Sequence, residues 1–501
     1  MSSTKRLHPI SAVYELLKML KELIIPILFF LFVGEDGTTW DKISFWASMA
    51  IIVFVFASGI LKWLRFTYRV EEGEIRIESG AIIRTKRYIP LERIQSLSYT
   101  EGILHRPFGL VKVKIETASA GAEAEAELTA ITKADAEELQ RIIASQKEHA
   151  QSETKTGEET KKLENDSTIV YQMTPKELLI MASTSSAIGV ILSAFFALYT
   201  QVEQFLPLDW LYDELEQLVR SGLVILAIIS ILGLVSAWAF GIVLTFLKYG
   251  NFTVKKERND VIISRGLLEK VSITIPIERV QGVVFVEGIL RQPFGFTSVK
   301  LESAGGEGNE KDQTEKVMIL PFIHKKRVVP ILQQLLPDYE FDVPLQAVSV
   351  KAKRRYMIRE AFKTVPFVIA LSTIFWPYGL FSLLLLVLAG GFGYIKYKDA
   401  GWHVTATQLT TRSRVLARQT FFMKKNRIQS MELKQGWLQR RKELVSVTST
   451  IRSGVLAEVG KVVDMEMEDG FYVYEWYRPR KEHQEYKLEE PHFKIGDEQK
   501  S

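Results

Sequence analysis

The sequence predicts an integral membrane protein made of three repeats, each an α-helical hydrophobic hairpin followed by a small, mostly β domain in the cytoplasm. Three observations predict this. The chain has 501 residues, which is too long for one ordinary core. Its hydrophobic residues, 47% of the total, gather in long runs between strongly charged segments. The charged segments also resemble one another, which is typical of repeated structural units.

Composition excludes several kinds of site. The chain contains no cysteine, so disulfides, thiolate metal sites and cysteine nucleophiles are excluded. No two of its 7 histidines share a helical metal-ligand spacing, and we expect neither a metal nor another cofactor. A formal net charge of +5 is small for this length and does not predict a nucleic-acid partner.

The first hairpin is predicted within residues 1–65, with spans at about 16–33 and 43–64. A spanning helix needs about 20 mostly apolar residues. No small-x-small cleavage pattern follows the first apolar run, so a retained anchor is favoured over a cleaved signal peptide.

The other two hairpins are predicted at 178–247 and 364–395, the first of these with spans at Leu178–Thr200 and Gly222–Leu247. The last is interrupted at Trp376-Pro377-Tyr378-Gly379, which indicates a turn between two helices. Its halves of about 16 residues are short for a span. They fit either two short tilted spans, which we favour, or a re-entrant loop.

Charge asymmetry predicts the orientation, because basic residues near span ends remain cytoplasmic. Lys62 and Arg65 end the second predicted span and Lys248 ends the fourth, whereas the loop between spans three and four is rich in acidic residues. Both termini and all three large polar segments are therefore predicted to face the cytoplasm, in a multi-pass protein of the cell membrane. The predicted boundaries are domain 1 at 66–146, a charged linker at 147–168, domain 2 at 248–338, a divergent domain 3 at 396–478 and a polar tail at 479–501.

The internal repeat is the most specific signal in the chain. From Pro90 the sequence reads PLERIQSLSYTEGILHRPFGLVKVKIETA, and from Pro276 it reads PIERVQGVVFVEGILRQPFGFTSVKLESA, with about half the positions identical and no gap. A fainter third copy, NRIQSMELKQGWLQRRKELVSVTSTIRSG, begins at Asn426 and lacks the Pro-Phe-Gly of the other two. Period-two alternation predicts short strands in each copy.

Helices are predicted to close the first two units but not the third. Thr132 and Asp135 resemble a capping box before a helix, and Phe322–Leu336 is a second helical segment. In the third unit Gly470–Tyr477, GFYVYEWY, fits a strand, and no helix follows it. Phe108 and Phe294, each between proline and glycine, are predicted to be core anchors.

Two sets of residues are candidates for contacting lipid headgroups or a partner protein. The first is an Arg-x-Gln pair that recurs in each unit, for which a structural role bonding the backbone is the favoured alternative. The second is a basic run before the third hairpin, which attracts anionic lipid or only sets the topology. The candidate residues are Arg93, Gln95, Arg279, Gln281, Arg427, Gln429, Lys351, Lys353, Arg354, Arg355 and Arg359.

The motif Arg-Ile/Val-Gln, Gly-x-Leu, Phe-Gly, Val-x-Ile/Leu-Glu-Thr/Ser-Ala resembles the bacterial PH-like domain family of membrane proteins. The resemblance implies a PH-like fold for each unit, with two curved antiparallel sheets packed as a partly open barrel or sandwich and capped by a helix. It also implies a protein without enzymatic activity, with a tie to envelope defence against membrane-active peptides. A smaller membrane protein with one such domain is the partner that it implies.

Two functions follow as hypotheses. The first is a non-enzymatic membrane scaffold whose cytoplasmic PH-like domains bind a partner protein, membrane lipids or both. The second is a transporter or exporter of lipids or peptides, which needs a polar path through the membrane. The predicted spans carry no charge at mid-depth, which argues against transport. No Walker loop, dinucleotide fingerprint or nucleophile elbow is present, so an enzyme is not expected.

Overall fold

The computed structural model describes residues 4–17, 39–80, 83–117, 126–152, 167–184, 223–303, 317–451 and 458–478. The predicted span 16–33 beyond residue 17, the predicted span Leu178–Thr200 beyond Thr184, and the tail 479–501 lie outside the described residues.

The described elements alternate between helices and short strands. The helices are α1 (10–17), α2 (Thr39–Arg65), α3 (Lys133–Ser152), α4 (Pro175–Ser183), α5 (Leu223–Tyr249), α6 (Lys325–Leu335), α7 (Lys353–Ile374), α8 (Leu383–Asp399), α9 (Trp437–Arg440) and α10 (Met467–Tyr477). The strands of unit 1 are β1 (Lys5–Arg6), β2 (Thr67–Glu71), β3 (Glu74–Ser79), β4 (Thr85–Pro90), β5 (Ile94–Glu101), β6 (Leu110–Thr117) and β7 (Ala126–Thr132). The strands of unit 2 are β8 (Ser167–Gln172), β9 (Thr253–Glu257), β10 (Asp260–Arg265), β11 (Lys270–Pro276), β12 (Val280–Glu287), β13 (Phe296–Ser303) and β14 (Met318–His324). The strands of unit 3 are β15 (Gln346–Ala347), β16 (Gly401–Val404), β17 (Gln408–Arg414), β18 (Arg418–Lys424), β19 (Ile428–Lys434), β20 (Leu444–Ile451) and β21 (Glu458–Glu466).

Each unit consists of a four-stranded meander, a three-stranded meander and a closing helix. In every unit the first strand precedes the helices of the hairpin region and pairs with the strand that follows them, as β8 does with β9. The structure therefore places the start of unit 2 at β8, before the hairpin. The predicted linker 147–168 is shortened at both ends, because α3 continues to Ser152 and β8 begins at Ser167.

Neighbouring units share a continuous sheet. The sheet orders are β1-β2-β3-β4, then β7-β6-β5-β11-β10-β9-β8, then β14-β13-β12-β18-β17-β16-β15, then β19-β20-β21. Strand β11 of unit 2 pairs antiparallel with β5 of unit 1, and β18 of unit 3 pairs antiparallel with β12 of unit 2. The three units are therefore joined by backbone hydrogen bonds between strands and are not separate domains. We call this row of three units the ribbon.

Alternation along the strands builds one core in each unit. In β3, for example, Ile75 and Ile77 are buried, while the residues between and beside them are only partly covered. They pack with Ile89 of β4 and Val113 of β6 in the core of unit 1, and units 2 and 3 repeat the arrangement. Burial of these aliphatic side chains is the main favourable term in the folding of each unit.

The prediction that unit 3 ends in a strand is wrong, because residues Met467–Tyr477 form helix α10. Gly470 and Val473 are its buried residues, and a spacing of three residues suits one face of a helix. The aromatic residues of this segment favour a strand locally, but packing against the core of unit 3 overrides that preference. All three units are therefore closed by a helix.

The helices that would enter the membrane are only partly described. Tyr378–Asp399 is the one segment of the described residues that is long and apolar enough, by length and composition, to cross a membrane. Val235–Tyr249 in α5 is a shorter apolar segment. In the third hairpin, α7 and α8 are joined by a turn at the predicted Trp376–Gly379 break, and Glu360 pairs with Lys396 across them at 2.9 Å. The complete set of hairpins remains a prediction.

Candidate membrane-facing surface and unit junctions

One end of each unit lies against the ends of its long helices. Strand β9 begins four residues after α5 ends, so β9 leads away from that helix and the turn between β10 and β11 returns to it. Backbone hydrogen bonds confirm the return: Leu267 N donates to Leu247 O at 2.9 Å, and Gly266 N donates to Gly250 O at 2.8 Å. We call this end of a unit its proximal end.

The loop between the first two strands of each unit's three-stranded meander also lies at the proximal end. This repeat loop comprises residues 102–109, 288–295 and 436–443 in units 1, 2 and 3. In unit 1, Arg106 Nη1 donates to Leu267 O of the next unit at 2.7 Å, which brings this loop to the end of α5. The repeat loop and the neighbouring unit's turn therefore form one composite surface.

Apolar side chains project from this surface into solvent. The prediction that Phe108 and Phe294 are core anchors is wrong, because their side chains are 60% and 70% exposed. In the loop of unit 3, Lys442 stands at the position of these phenylalanines, and Trp437, which aligns with Ile103 and Ile289, is 68% exposed. Other exposed apolar residues of these loops and turns are Ile83, Ile103, Leu104, Leu268, Ile289, Leu290, Val415, Leu416 and Leu438.

A polar side chain anchors each repeat loop from the inside; it is buried in units 1 and 3 and half-buried in unit 2. The positions are equivalent in the repeat: His105, Arg291 and Gln439. The His105 ring nitrogen Nε2 lies 2.8 Å from Thr129 O, and Gln439 Nε2 donates to Asp464 Oδ1 at 2.7 Å. Because the anchor fills the interior, the apolar residues of the loop remain outside. The sequence signal was a position that is polar in all three copies.

In units 1 and 2 the same anchors contact the first helix of the hairpin region. Arg291 Nε donates to Thr184 Oγ1 at 3.1 Å, at the end of α4, and burial lowers the pKa of this guanidinium. In unit 1 the ring of His105 meets the ring of Tyr14 on α1, with the centroids 5.3 Å apart. The loop thus lies beside the helix that leads toward the predicted span, and the turn lies beside the helix that returns from it.

In unit 3 the anchor Gln439 is connected to α7 through Asp464, which binds part of the predicted basic run. Arg355 Nε and Arg359 Nη1 of α7 each donate to the Asp464 carboxylate at 3.1 Å, and Asp464 has 0% exposure. Lys351 lies 3.8 Å from Glu443. Lys353 and Arg354 are exposed. The structure therefore brings Arg355 and Arg359 into the protein and leaves Lys353 and Arg354 on its surface.

The Arg-x-Gln pairs lie at the opposite, distal end of the units. Arg279 Nη2 donates to Ile94 O of unit 1 at 3.1 Å, and Arg427 Nη2 donates to Glu278 O of unit 2 at 2.6 Å. Burial lowers the pKa of Arg279. Arg93, the equivalent residue of unit 1, is exposed. Arg279 therefore connects units 1 and 2, and Arg427 connects units 2 and 3.

The glutamines of the same motif differ from one another. Gln281 is buried, and its Nε2 donates to Arg279 O at 3.1 Å. Gln429 is exposed. The side chain of Gln95 lies outside the described part of the structure. A contact between these residues and a lipid or a partner remains a prediction.

The second junction also contains a buried ionic cluster that the sequence did not reveal. Asp399, at the end of α8, accepts hydrogen bonds from Arg414 and, at 3.0 Å, from Arg418 Nη1. Arg418 also bonds Glu287 of unit 2, and Lys325 lies 2.5 Å from the same carboxylate. The cluster therefore connects helix α8 to unit 2 and unit 3. Its members lie far apart in the sequence, so no local pattern predicts it.

The repeat loop of unit 3 adds exposed positive charge to its apolar residues. Arg440, Arg441 and Lys442 are all exposed, and the Arg441 guanidinium lies 4.1 Å from the ring centroid of Trp437. Indole rings and basic side chains together favour the interface between water and lipid. Among the described residues no group of three or more His, Asp or Glu side chains could hold a metal ion.

Comparison with known proteins supports the repeat and the fold. The family described as the bacterial PH domain matches residues 23–147, 191–338 and 361–481. The chain is 35% identical over 490 residues to the UPF0699 transmembrane protein YdbT of Bacillus subtilis (strain 168), which covers 95% of this chain and 98% of that protein. It is 32% identical over 85 residues to the UPF0699 transmembrane protein YdbS of the same organism, 17% of this chain and 49% of that protein. No solved structure matches the chain. The chain therefore belongs to the bacterial PH domain family, as a membrane protein of the UPF0699 group.

Proposed function

We propose that this chain is a non-enzymatic multi-pass membrane scaffold whose three PH-like units form a ribbon on the cytoplasmic face and contact lipid through their repeat loops. The observation that carries the proposal is the exposure of Phe108, Phe294 and Trp437 at the proximal ends of the units. Three equivalent loops share this property, although their sequences differ. A shared exposed apolar feature beside span ends is expected where a domain meets a membrane.

Charge supports the same surface in unit 3. Basic side chains near an anionic leaflet contribute about 1 kcal/mol each. Arg440, Arg441 and Lys442 therefore favour anionic headgroups beside the inserted Trp437, and Lys353 and Arg354 extend the basic surface along α7. The distal ends of the units, by contrast, carry the Arg279 and Arg427 contacts between units and are directed away from the helix ends.

The absence of cysteine from the chain makes a direct test simple. Single cysteines would replace Phe108, Phe294 or Trp437 in the full chain and carry an environment-sensitive fluorophore. The control is Glu72→Cys, an exposed residue of the distal turn between β2 and β3. In vesicles, we expect brominated lipid to quench the label at the three loops and soluble iodide to quench it at the control. Iodide quenching at all four sites would contradict the proposal.

Headgroup preference is a second, separable part of the test. The labelled Trp437→Cys chain is compared with the same chain in which Arg440, Arg441 and Lys442 are alanine. We expect bromolipid quenching to rise with the anionic lipid fraction in the first chain and to stay flat in the second. An equal rise in quenching in both chains would show that these basic residues do not bind anionic headgroups.

The biological part of the proposal comes from the family resemblance. The scaffold would bind a smaller membrane protein with one PH-like domain, for which a relative similar to YdbS is the first candidate, and would protect the envelope against membrane-active peptides. A strain without this chain should become more sensitive to such peptides, and the Phe108/Phe294/Trp437 alanine variant should fail to restore resistance. Full restoration of resistance by that variant would show that the exposed loop residues are not needed for this function.

A further inference from the structure

The two junctions between units are formed by the same kind of strand pairing. In the described structure, two equivalent strand edges do not form it. At both junctions, the last strand of one unit's four-stranded meander pairs with the first strand of the preceding unit's three-stranded meander: β11 with β5, and β18 with β12. Among the residues that the structure describes, the equivalent strands without such a partner are β4 of unit 1 and β19 of unit 3. In the described structure each is hydrogen-bonded on one side only, to β3 and to β20.

Burial distinguishes the paired strands from these two. In β18, Phe421 and Phe422 are buried, Phe422 in the core of the neighbouring unit 2 and Phe421 in the core of unit 3. At the equivalent positions of β4 stand Arg87 and Tyr88, which are exposed. Strand β19 is likewise mostly exposed, whereas its equivalent β12 is mostly buried. An exposed strand edge is a template for another strand.

We propose that β4 and β19 pair head to tail between two copies of this chain, so that the ribbon continues from one molecule to the next. The register follows from the junctions already formed. Ile273 pairs with Ser98 at the first junction, and Phe421 pairs with Val284 at the second, and these are equivalent positions in the repeat. Transferred to the free edges, the same register places Arg87 opposite Glu432.

Charge favours this arrangement over other pairings of the edges. Strand β4 carries Lys86 and Arg87, so two β4 edges repel each other. Opposite charges facing each other across strands stabilise a pair, as Arg87 and Glu432 do in the transferred register. Glu432 pairs with Lys434 at 2.8 Å on its own strand, but both side chains are exposed, and such pairs exchange readily.

Arg93 gives a second, independent reason. Its equivalents Arg279 and Arg427 each donate to a backbone carbonyl of the preceding unit. Arg93 lies at the same place in unit 1 and is exposed. A second copy whose unit 3 precedes unit 1 supplies the missing carbonyls near Ile428. Both copies keep their proximal ends toward one membrane, because the junction relates units in that orientation. The inference holds whether or not the repeat loops contact lipid.

Disulfide trapping between two differently tagged chains tests the proposal. One full-length chain carries Arg87→Cys and the other Glu432→Cys, and both are produced in the same membrane and oxidised. We expect an adduct that contains both tags, and a much weaker one when Glu72→Cys replaces Arg87→Cys. A chain with Ser98→Cys and Ile273→Cys calibrates the geometry, since this pair occupies the same register within one molecule.

Two results would overturn the inference. The first is the absence of the two-tag adduct while the Ser98–Ile273 disulfide forms. The second is capture of a smaller chain, rather than a second copy, by a photoreactive group attached at residue 87 in host membranes. Charge exchange gives an independent check: Arg87→Glu in both copies should abolish their co-purification, and Glu432→Arg added to both copies should restore it.

Discussion

Asp464→Asn should weaken the attachment of unit 3 to the third hairpin more than any change at a nearby exposed carboxylate. Asp464 has 0% exposure and receives hydrogen bonds from Arg355, Arg359 and the loop anchor Gln439. Asparagine keeps the shape and one acceptor but removes the charge. Two guanidinium groups then face a neutral amide.

The magnitude follows from the burial of the partners. Removing one member of a buried ion pair costs about 3–5 kcal/mol. Arg355 and Arg359 keep 25% and 35% of their side-chain exposure, so water recovers part of that loss. We expect the free energy of unfolding of unit 3 to fall by about 2–3 kcal/mol, which for a domain of this size lowers the melting temperature by on the order of 10 °C.

Intrinsic tryptophan fluorescence on heating in mild detergent measures this change. Glu466→Gln is the matched control, because Glu466 lies two residues away, is 44% exposed and bonds Ser349 and Lys351. The control should change the free energy of unfolding by less than about 0.5 kcal/mol. Equal melting of Asp464→Asn and Glu466→Gln would refute the idea that Asp464 connects the loop and α7.

Three further changes test other parts of the structure. Gly470→Ala should destabilise unit 3 by about 1–3 kcal/mol in the same melting assay, because the new Cβ would lie 2.3 Å from Val445 Cγ2; no effect would contradict the helix there. Arg279→Ala should raise amide hydrogen exchange in β5 and β11 and leave β12 protected, since only the first junction loses a bond. Burial alone raises the pKa of Asp135, but the Lys5 ammonium at 2.6 Å holds this pKa below its usual range. The ionised carboxylate therefore stabilises the fold above pH ~4. This contribution is lost as the pH falls through the lowered pKa. Asp135→Asn should therefore melt lower than the wild type at pH 7, and the difference should shrink as the pH falls through the lowered pKa of Asp135. A difference that does not change with pH would contradict the pairing.

Sequence reasoning identified the features that repeat in a local pattern. Strands β5 and β12 lie within the repeated copies, where alternation predicted short strands, and a helix follows β7 at the Thr132 capping pattern. The aligned copies also indicated the family, which the matches over three parts of the chain confirm.

The features that sequence reasoning missed depend on what lies far away in the chain. Helix α10 was assigned as a strand because its aromatic residues favour strands, while the groove that packs Val473 is built by other segments. Phe108 was placed in the core because large apolar residues are usually buried, but the neighbouring His105 fills that interior and directs the loop outward.

The joins between units were hidden for a related reason. The pairing of β5 with β11 depends on strand register between segments about 170 residues apart, and neither strand alone shows which neighbour it will have. The same holds for the cluster around Asp399, in which Arg418 of unit 3 bonds both Asp399 and Glu287 of unit 2. Repeats predict how many units exist but not how their edges meet.

We propose that one ribbon of three units lies along the membrane with its repeat loops directed toward it. An electron cryomicroscopy map of the full chain in a lipid nanodisc would show both features at once. We expect continuous sheet density across β5–β11 and β12–β18, with Phe108, Phe294 and Trp437 in contact with the edge of the lipid density. Units that separate from one another, or repeat loops directed away from the lipid, would contradict it.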